Sequence, residues 1–489
     1  MEQPLWTADE LASITGGSWS RPPGPEWAPT GVRSTVVYDI EPDWPAGAII
    51  FVTRGSELRR VFGDEPRPAT PPTGCIVVGS ALADHPDLPA HRAILRVPRW
   101  EPALQALARA GRRRIGGPVA AVTGTVGKTT TRGMLLHMLQ GYDGLVTNPG
   151  NGNFRADVIQ HVASARSGAP LGVFEVGLGA AVDAFRTVSQ ILEPDVVVLT
   201  QLGIAHLDTI ARGDLSHEEA LLVIAEQKLQ LCENMAADGA VVVRRDIPVF
   251  AELERMLFGR RIITFGEHEA SDYRLIDVDA QDGRTHVRAT AFGAPLEFDL
   301  GFPGRFMAFN GLGALATANE MTGDLTGHAA SLASFEAVEG RARILPLTVR
   351  GNPITLIDDS YNATPLSVRS TFELLRDLRP GPGGRRIAVL GDIAHLGAES
   401  AATHAALADD AQARGVDRVF TLGRQMAHMQ QALPARMAAG HFVTKQRLVD
   451  ALLEELRAGD VVTVKASVPL KFGTIVQRLQ ALDGSPDPV

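Results

Sequence analysis

The stretch PVAAVTGTVGKTT (residues 118–130) decides the fold. Residues 118–123 form an apolar run of strand length. A glycine-bearing turn follows, and a helical pattern then runs from Thr129 to Leu139. Strand, glycine loop and helix in that order make the opening half of a βαβ unit. Gly124 and Gly127 let the main chain wrap tightly, so that its N–H groups face phosphate oxygens at a helix N-terminus. Lys128 is then placed to neutralise β- and γ-phosphates, and the Thr129 hydroxyl to ligate Mg²⁺. Gly124, Thr125, Gly127, Lys128, Thr129 and Thr130 are therefore candidates for holding a nucleotide. The loop is shorter than a full Walker A, because Val122 stands where that pattern has its first glycine.

Outward from this loop the chain reads as α/β. LGVFEV (171–176), DVVVLT (195–200) and GAVVVR (239–244) are short β-branched runs, several of them separated by helical segments. Unbroken apolar strands of this kind predict a mostly parallel sheet covered on both faces. Residues 270–300 alternate and predict antiparallel strands. A second α/β run begins near residue 350. Its strands are PITLID (353–358), RIAVLG (386–391), DRVFTL (417–422) and DVVTVK (460–465), with helices over 366–378, 402–414, 446–457 and 470–482. That is a doubly wound, Rossmann-like pattern. Ahead of the loop, Thr7 to Glu10 reads as a capping box, and residues 47–52 and 74–79 as strands flanking a proline-rich loop. The expected organisation is three domains: 1–113 N-terminal and substrate-binding, 114–341 central and ATP-binding, 342–489 C-terminal and Rossmann-like.

Composition narrows the function classes. The chain has 489 residues, 45% apolar and 21% charged, with a net charge of −9. That is ordinary globular usage and excludes a disordered, collagen-like or coiled-coil protein. The acidic total argues against a nucleic-acid or anionic-membrane partner. Cys75 and Cys232 make neither a disulfide framework nor a zinc site. The first residues lack a signal-peptide pattern, and no run reaches the roughly 18 apolar residues of a membrane span. The expectation is a soluble, cytoplasmic, multidomain α/β protein. The five tryptophans, Trp6, Trp19, Trp27, Trp44 and Trp100, all fall within the first domain, as a packed core or as a pocket lining.

The shortened loop resembles the G-T-x-G-K-T of the Mur ligase family. So do DSYNATPLS (359–367), Gly391-Asp392 with Leu396-Gly397, Ser400 and His404, and Gly459-Asp460 with Lys465 and Ser467, in the family's order. The resemblance implies an ATP-dependent, ADP-forming ligase that joins a carboxylate to an amine. A carboxylate lacks a good leaving group, and phosphorylation to an acyl phosphate supplies one before the amine attacks. By the same resemblance, Thr129, Glu175, His206 and Lys228 are the magnesium site, with Lys228 carbamylated. Lys128, Glu175, His206 and Lys228 are then the catalytic set. Asn310 is implied to meet the adenine, Arg341 an ATP phosphate, and Asp359, Tyr361 and Asn362 the nucleotide or acyl phosphate.

Several positions depart from the family pattern. No D-S-R precedes the Pro45-Ala46-Gly47 turn, and the G-x-x-x-D-G-H stretch after Phe51 is missing. Asn151-Gly152-Asn153-Phe154 replaces N-x-N-N, and the family's G-E-I is not found near Asp183. Phe306 and Met307 replace His and Asn, Gln201 an Asn, His395 a Glu, and Ala466 and Val468 the flanks of G-S-R. ATP-handling residues are kept while substrate-end residues change. The leading reading is a ligase recruited to another pathway, such as a specialised metabolite. The alternatives are a divergent enzyme completing the peptidoglycan pentapeptide precursor, or a nucleotide-binding pseudoenzyme.

Overall fold

A computed structural model describes residues 3–36, 47–62, 72–150, 152–177, 184–204, 215–281 and 284–484. The chain divides into two compact units. The first comprises Met1–Thr123, Gln140–Val198 and Gln227–Val241; the second comprises Gly124–Leu139, Leu199–Glu226 and Val242–Val489.

In the first unit, β1 (Ser18–Arg21), β2 (Gly31–Ser34), β3 (Ala48–Val52), β4 (Cys75–Gly79) and β5 (Ala93–Val97) form a sheet in the order β1-β5-β4-β3-β2. All neighbours are parallel except β1 with β5. The edge at β2 is closed by two side chains of one helical stretch. Val32 N–H donates to Ser164 Oγ at 2.8 Å and Ser34 N–H to Gln160 Oε1 at 2.9 Å. An edge strand so capped is barred from pairing with another chain. The expected capping box is present, with Thr7 opening the helix Ala8–Thr15. Of the described tryptophans Trp6 is core: it is buried and donates to Ala163 O, the half-buried Trp27 donates to Trp6 O, and Trp19 packs edge-on against Trp27. Trp44 lies outside the described residues. The helix Trp100–Arg112, not anticipated from the sequence, packs on Arg155–Ala163. A Cβ at Gly111 would lie 2.1 Å from Val162 O, so only glycine allows that approach.

The same unit holds β6 (Val119–Thr123), β7 (Val146–Thr147), β8 (Gly172–Glu175) and β9 (Val196–Leu199), in the order β9-β6-β8-β7. β6, β8 and β9 are buried throughout, as their unbroken apolar runs require. Val122 lies inside β6 opposite Glu175. An extended, buried strand position needs no glycine, which accounts for the shortened motif. The unit boundary then falls within β10 (Ala240–Arg244).

In the second unit, β11 (Arg261–Gly266) pairs in parallel with β12 (Tyr273–Gln281). β12, β13 (Arg284–Ala291) and β14 (Ala294–Leu300) form the expected antiparallel meander. β15 (Arg343–Val349), β16 (Asn352–Asp358), β17 (Arg386–Gly391), β18 (Arg418–Leu422), β19 (Ala438–Phe442) and β20 (Val461–Lys465) make a sheet in the order β15-β16-β20-β17-β18-β19. Only β15 is antiparallel. β15 and β19 were not anticipated; β19 reads AAGHF, which carries little strand propensity. The expected helix over 470–482 starts only at Gly473, because Pro469 sits in a 3₁₀ turn and Lys471 is left-handed at φ 48°. No helix among the described residues is long and apolar enough to cross a membrane.

Candidate active site

The phosphate loop bends where its glycines are. Gly124 has φ 145° and Gly127 φ 92°. A Cβ at Gly124 would lie 2.0 Å from Thr200 Oγ1, and one at Gly127 2.4 Å from Asn310 Oδ1. Thr125 N–H and Val126 N–H both donate to Gln201 O, at 2.7 and 3.3 Å. Thr200 Oγ1 donates to Val126 O at 2.7 Å and Thr125 Oγ1 to Gly203 O at 2.9 Å. Four hydrogen bonds thus fix the outer turn of the loop. Helix Lys128–Met138 follows with no side-chain cap at Gly127, and the positive end of its dipole suits an anion. Thr129 and Thr130 are buried there, and Lys128 Nζ reaches Thr125 O at 3.3 Å.

Thr125 to Thr130 line an open recess of about 360 Å³ whose other wall is Arg341, Asn362, Ala363, Thr364 and Ser367. Thr364 and Ser367 cap each other at the start of helix Pro365–Asp377. Behind this wall the charges turn inward. Asp358 Oδ2 accepts from Gly340 N–H at 3.0 Å, and its Oδ1 from Ser360 Oγ at 2.5 Å. Asp359 Oδ2 accepts from Lys465 Nζ and from Thr371 Oγ1, both at 2.6 Å. Lys465 also donates to Asn362 O at 3.1 Å, and Ser467 Oγ to Ala363 O at 3.3 Å. Burial pushes the Lys465 ammonium below the usual lysine range, against the pull of Asp359. His404 is fully buried: its Nε2 accepts from Ile393 N–H at 3.0 Å, and its Nδ1 lies 2.7 Å from Ser400 O.

Of the sequence candidates, the recess gathers Thr125, Gly127, Lys128, Thr129, Thr130, Arg341 and Asn362. Gly124 shapes the turn behind it. Asn310 lies against Gly127, and Asp359 and Tyr361 support the wall without lining it. Ala363, Thr364 and Ser367 were not singled out. Their signal was present, since all three sit inside the 359–367 motif.

Glu175 and Lys228 belong to the first unit. Glu175 is fully buried at the end of β8. Asn153 Nδ2 donates to its Oε1 at 2.6 Å, and the Asn148 amide brackets its main chain, donating to Glu175 O at 2.8 Å and accepting from Glu175 N–H at 2.9 Å. A carboxylate taken out of water calls for a countercharge, and a hard divalent cation suits its oxygens and a threonine hydroxyl. The donor chemistry of the Glu175 carboxylate, taken by itself, is of the kind that suits magnesium. Lys228 is buried in helix His217–Leu229, with Nζ 5.5 Å from the centroid of Phe185. His206 lies outside the described residues.

Residues 122–318 match the Mur ligase middle domain, and residues 340–468 the Mur ligase glutamate ligase domain. The chain is 28% identical over 397 residues to the UDP-N-acetylmuramoyl-tripeptide–D-alanyl-D-alanine ligase of Bacillus subtilis, covering 81% of this chain and 82% of that one. It is 27% identical over 518 aligned positions to the enzyme of that name from Mycobacterium tuberculosis, covering 98% of each. A crystal structure of MurF from Acinetobacter baumannii superposes with a TM-score of 0.79 at 21% identity, covering 97% of this chain and 99% of that one.

The two domain matches together place the chain in the Mur ligase family, whose members are ATP-dependent, ADP-forming amide ligases, and the glycine loop facing Arg341 and a capped helix is in keeping with that class. The chain has the three-domain Mur ligase fold. Within the family it is MurF-like, and ligases of that type use ATP and Mg²⁺.

Proposed function

We propose that this ligase joins the free carboxylate of a UDP-N-acetylmuramoyl-tripeptide to the amine of D-alanyl-D-alanine in the cytoplasm. The observation that carries the chemistry is the recess that sets Lys128, Thr129 and Thr130 opposite Arg341 and Asn362. The substrate carboxylate attacks the γ-phosphorus of ATP, ADP leaves, and an acyl phosphate forms. The amine then adds to the carbonyl carbon, loses a proton, and expels phosphate. Lys128 and the first-turn N–H groups would offset charge on the transferring phosphoryl group, with Arg341 facing them across the recess.

Thr129 and Glu175 would hold magnesium, with His206 and Lys228 completing the set. The ion would supply Lewis-acid stabilisation of phosphate charge. Lys228 would serve as a carbamate, since a buried lysine loses the hydration that favours its ammonium form. ¹³C-bicarbonate labelling checks this, a carbamate carbon signal present in the enzyme and lost in Lys228→Ala being the expected result. The proposed domains are 1–113, 114–341 and 342–489.

The cell-wall substrate pair is favoured over recruitment elsewhere by the likeness to the mycobacterial enzyme, which extends through the divergent N-terminal residues. The test is ADP release with Mg-ATP, comparing the UDP-tripeptide and D-alanyl-D-alanine with a panel of amino acids and small carboxylates, followed by product masses. Turnover with the cell-wall pair is the expected result. Turnover with the panel alone would sink that pair and leave the ligase chemistry standing.

A further inference from the structure

Arg341 stands on the recess wall, and its guanidinium carbon lies 4.4 Å from the centroid of the Tyr361 ring. The backbone beneath builds this pair. Gly340 has φ 71° and Ala342 φ 60°, so Arg341 sits between two left-handed residues. A non-glycine residue in that region carries a steric cost, which the surroundings must hold in place. Tyr361 N–H donates to Gly340 O at 3.3 Å, and Gly340 N–H donates to Asp358 Oδ2. A Cβ at Gly340 would meet Tyr361 Cβ at 3.0 Å. The turn that carries the arginine and the turn that carries the ring are therefore laced together. The recess itself is lined by Asn362, Ala363 and Thr364 from that segment, and not by Tyr361.

A free arginine gives up much rotamer freedom when it grips a phosphate. An aromatic face under the guanidinium removes part of that freedom beforehand. We infer that Tyr361 is a positioning residue that presents Arg341 to the polyphosphate, acting through the arginine rather than by touching the nucleotide. The inference rests on the recess being the ATP site.

The test is a double-mutant cycle read by calorimetric binding of a magnesium complex of a non-hydrolysable ATP analogue. Tyr361→Leu should raise Kd by roughly 3- to 30-fold, the span of a cation–π contact from exposed to desolvated. Tyr361→Phe keeps the ring and should change Kd by less than about twofold. In an Arg341→Ala background, Tyr361→Leu should add nothing. An effect of full size in that background overturns the inference, as does an unchanged Kd in Tyr361→Leu or a loss in Tyr361→Phe equal to that in Tyr361→Leu. Thermal unfolding checks that each variant folds. If Tyr361→Leu does not, Gly340→Ala disturbs the pair from the other side and enters the same cycle under the same criteria. Absence of binding by the wild type, or wild-type binding by Lys128→Ala, would instead remove the ATP reading and this inference with it.

Discussion

One wall of the recess is residues 125–130, mostly main chain and short hydroxyls; the other is Arg341, residues 362–364 and the first turn of helix Pro365–Asp377, held from behind by buried charge. On the first wall Gly124 and Gly127 bring the backbone in. The groups left facing the recess are N–H donors, Thr129, Thr130 and Lys128, and the outer turn is tied to Gln201 and Gly203. On the second wall Arg341 faces the recess and the other charged residues point inward. Asp358 holds Gly340, Asp359 holds Lys465 and Thr371, and Lys465 and Ser467 hold the carbonyls of Asn362 and Ala363. The first wall depends on where side chains are absent, and the second on which side chains are hidden. A residue can therefore carry a family motif without lining the recess.

Breaking each wall should give opposite phenotypes. Lys128→Ala removes one charge from a loop whose shape depends on main-chain bonds. It should cost turnover about 10²–10³-fold or more while leaving the unfolding midpoint unchanged. Amide formation at the wild-type rate in that variant would remove the loop from the chemistry. Lys465→Met leaves Asp359 without its cation in a buried setting, where breaking such a pair costs about 3–5 kcal/mol. Urea unfolding should show that loss, and activity should fall with it. A stable Lys465→Met variant with normal ATP affinity would mean that the second wall does not depend on buried charge.

The difference between the walls also sets what was legible in the sequence. A glycine loop announces itself, because Gly124 and Gly127 have no other reason to stand between a strand and a helix. Five of its six candidate residues line the recess, Gly124 shapes the turn behind them, and Val126, which was not singled out, joins them. The motif 359–367 was equally legible as a pattern but not as geometry. The resemblance implied that Asp359 and Tyr361 meet the nucleotide or acyl phosphate; what the motif did not reveal is that Asp359 sits on Lys465, more than a hundred residues away, and Tyr361 under Arg341. Partners so distant leave no local trace. The parallel strands were readable because full burial demands unbroken apolar runs, as in β6, β8 and β9. β2 was not, because its edge is closed by Gln160 and Ser164 from another part of the chain.

A smaller effect tests the carboxylate in the first unit. Asn153→Ala removes the donor to Glu175 Oε1. Residues that orient a metal ligand typically matter 10- to 100-fold, so the magnesium concentration for half-maximal turnover should rise about tenfold or more. An unchanged magnesium titration would make Asn153 a packing residue only.

The smallest effect is a pH dependence that separates the walls. No histidine lies within residues 124–130, whereas His404 sits behind the second wall. Its Nε2 takes the Ile393 N–H, Ala394 N–H binds Ser467 Oγ, and that hydroxyl binds Ala363 O on the recess. Burial lowers the His404 pKa below its ordinary 6.5; Ser400 O and Asp392 pull upward, and His428 adds to the lowering. The unfolded chain takes up a proton near 6.5, while the folded chain does so only at lower pH. The stability from neutral His404 is thus complete above that value and lost as pH falls from it toward the folded pKa. His328 is shifted in the same direction, so the comparison must be wild type against His404→Gln. The wild-type unfolding midpoint should fall more steeply with acid below pH 6.5 than that of the variant. Equal slopes would show that protonation of His404 is not what loosens this wall.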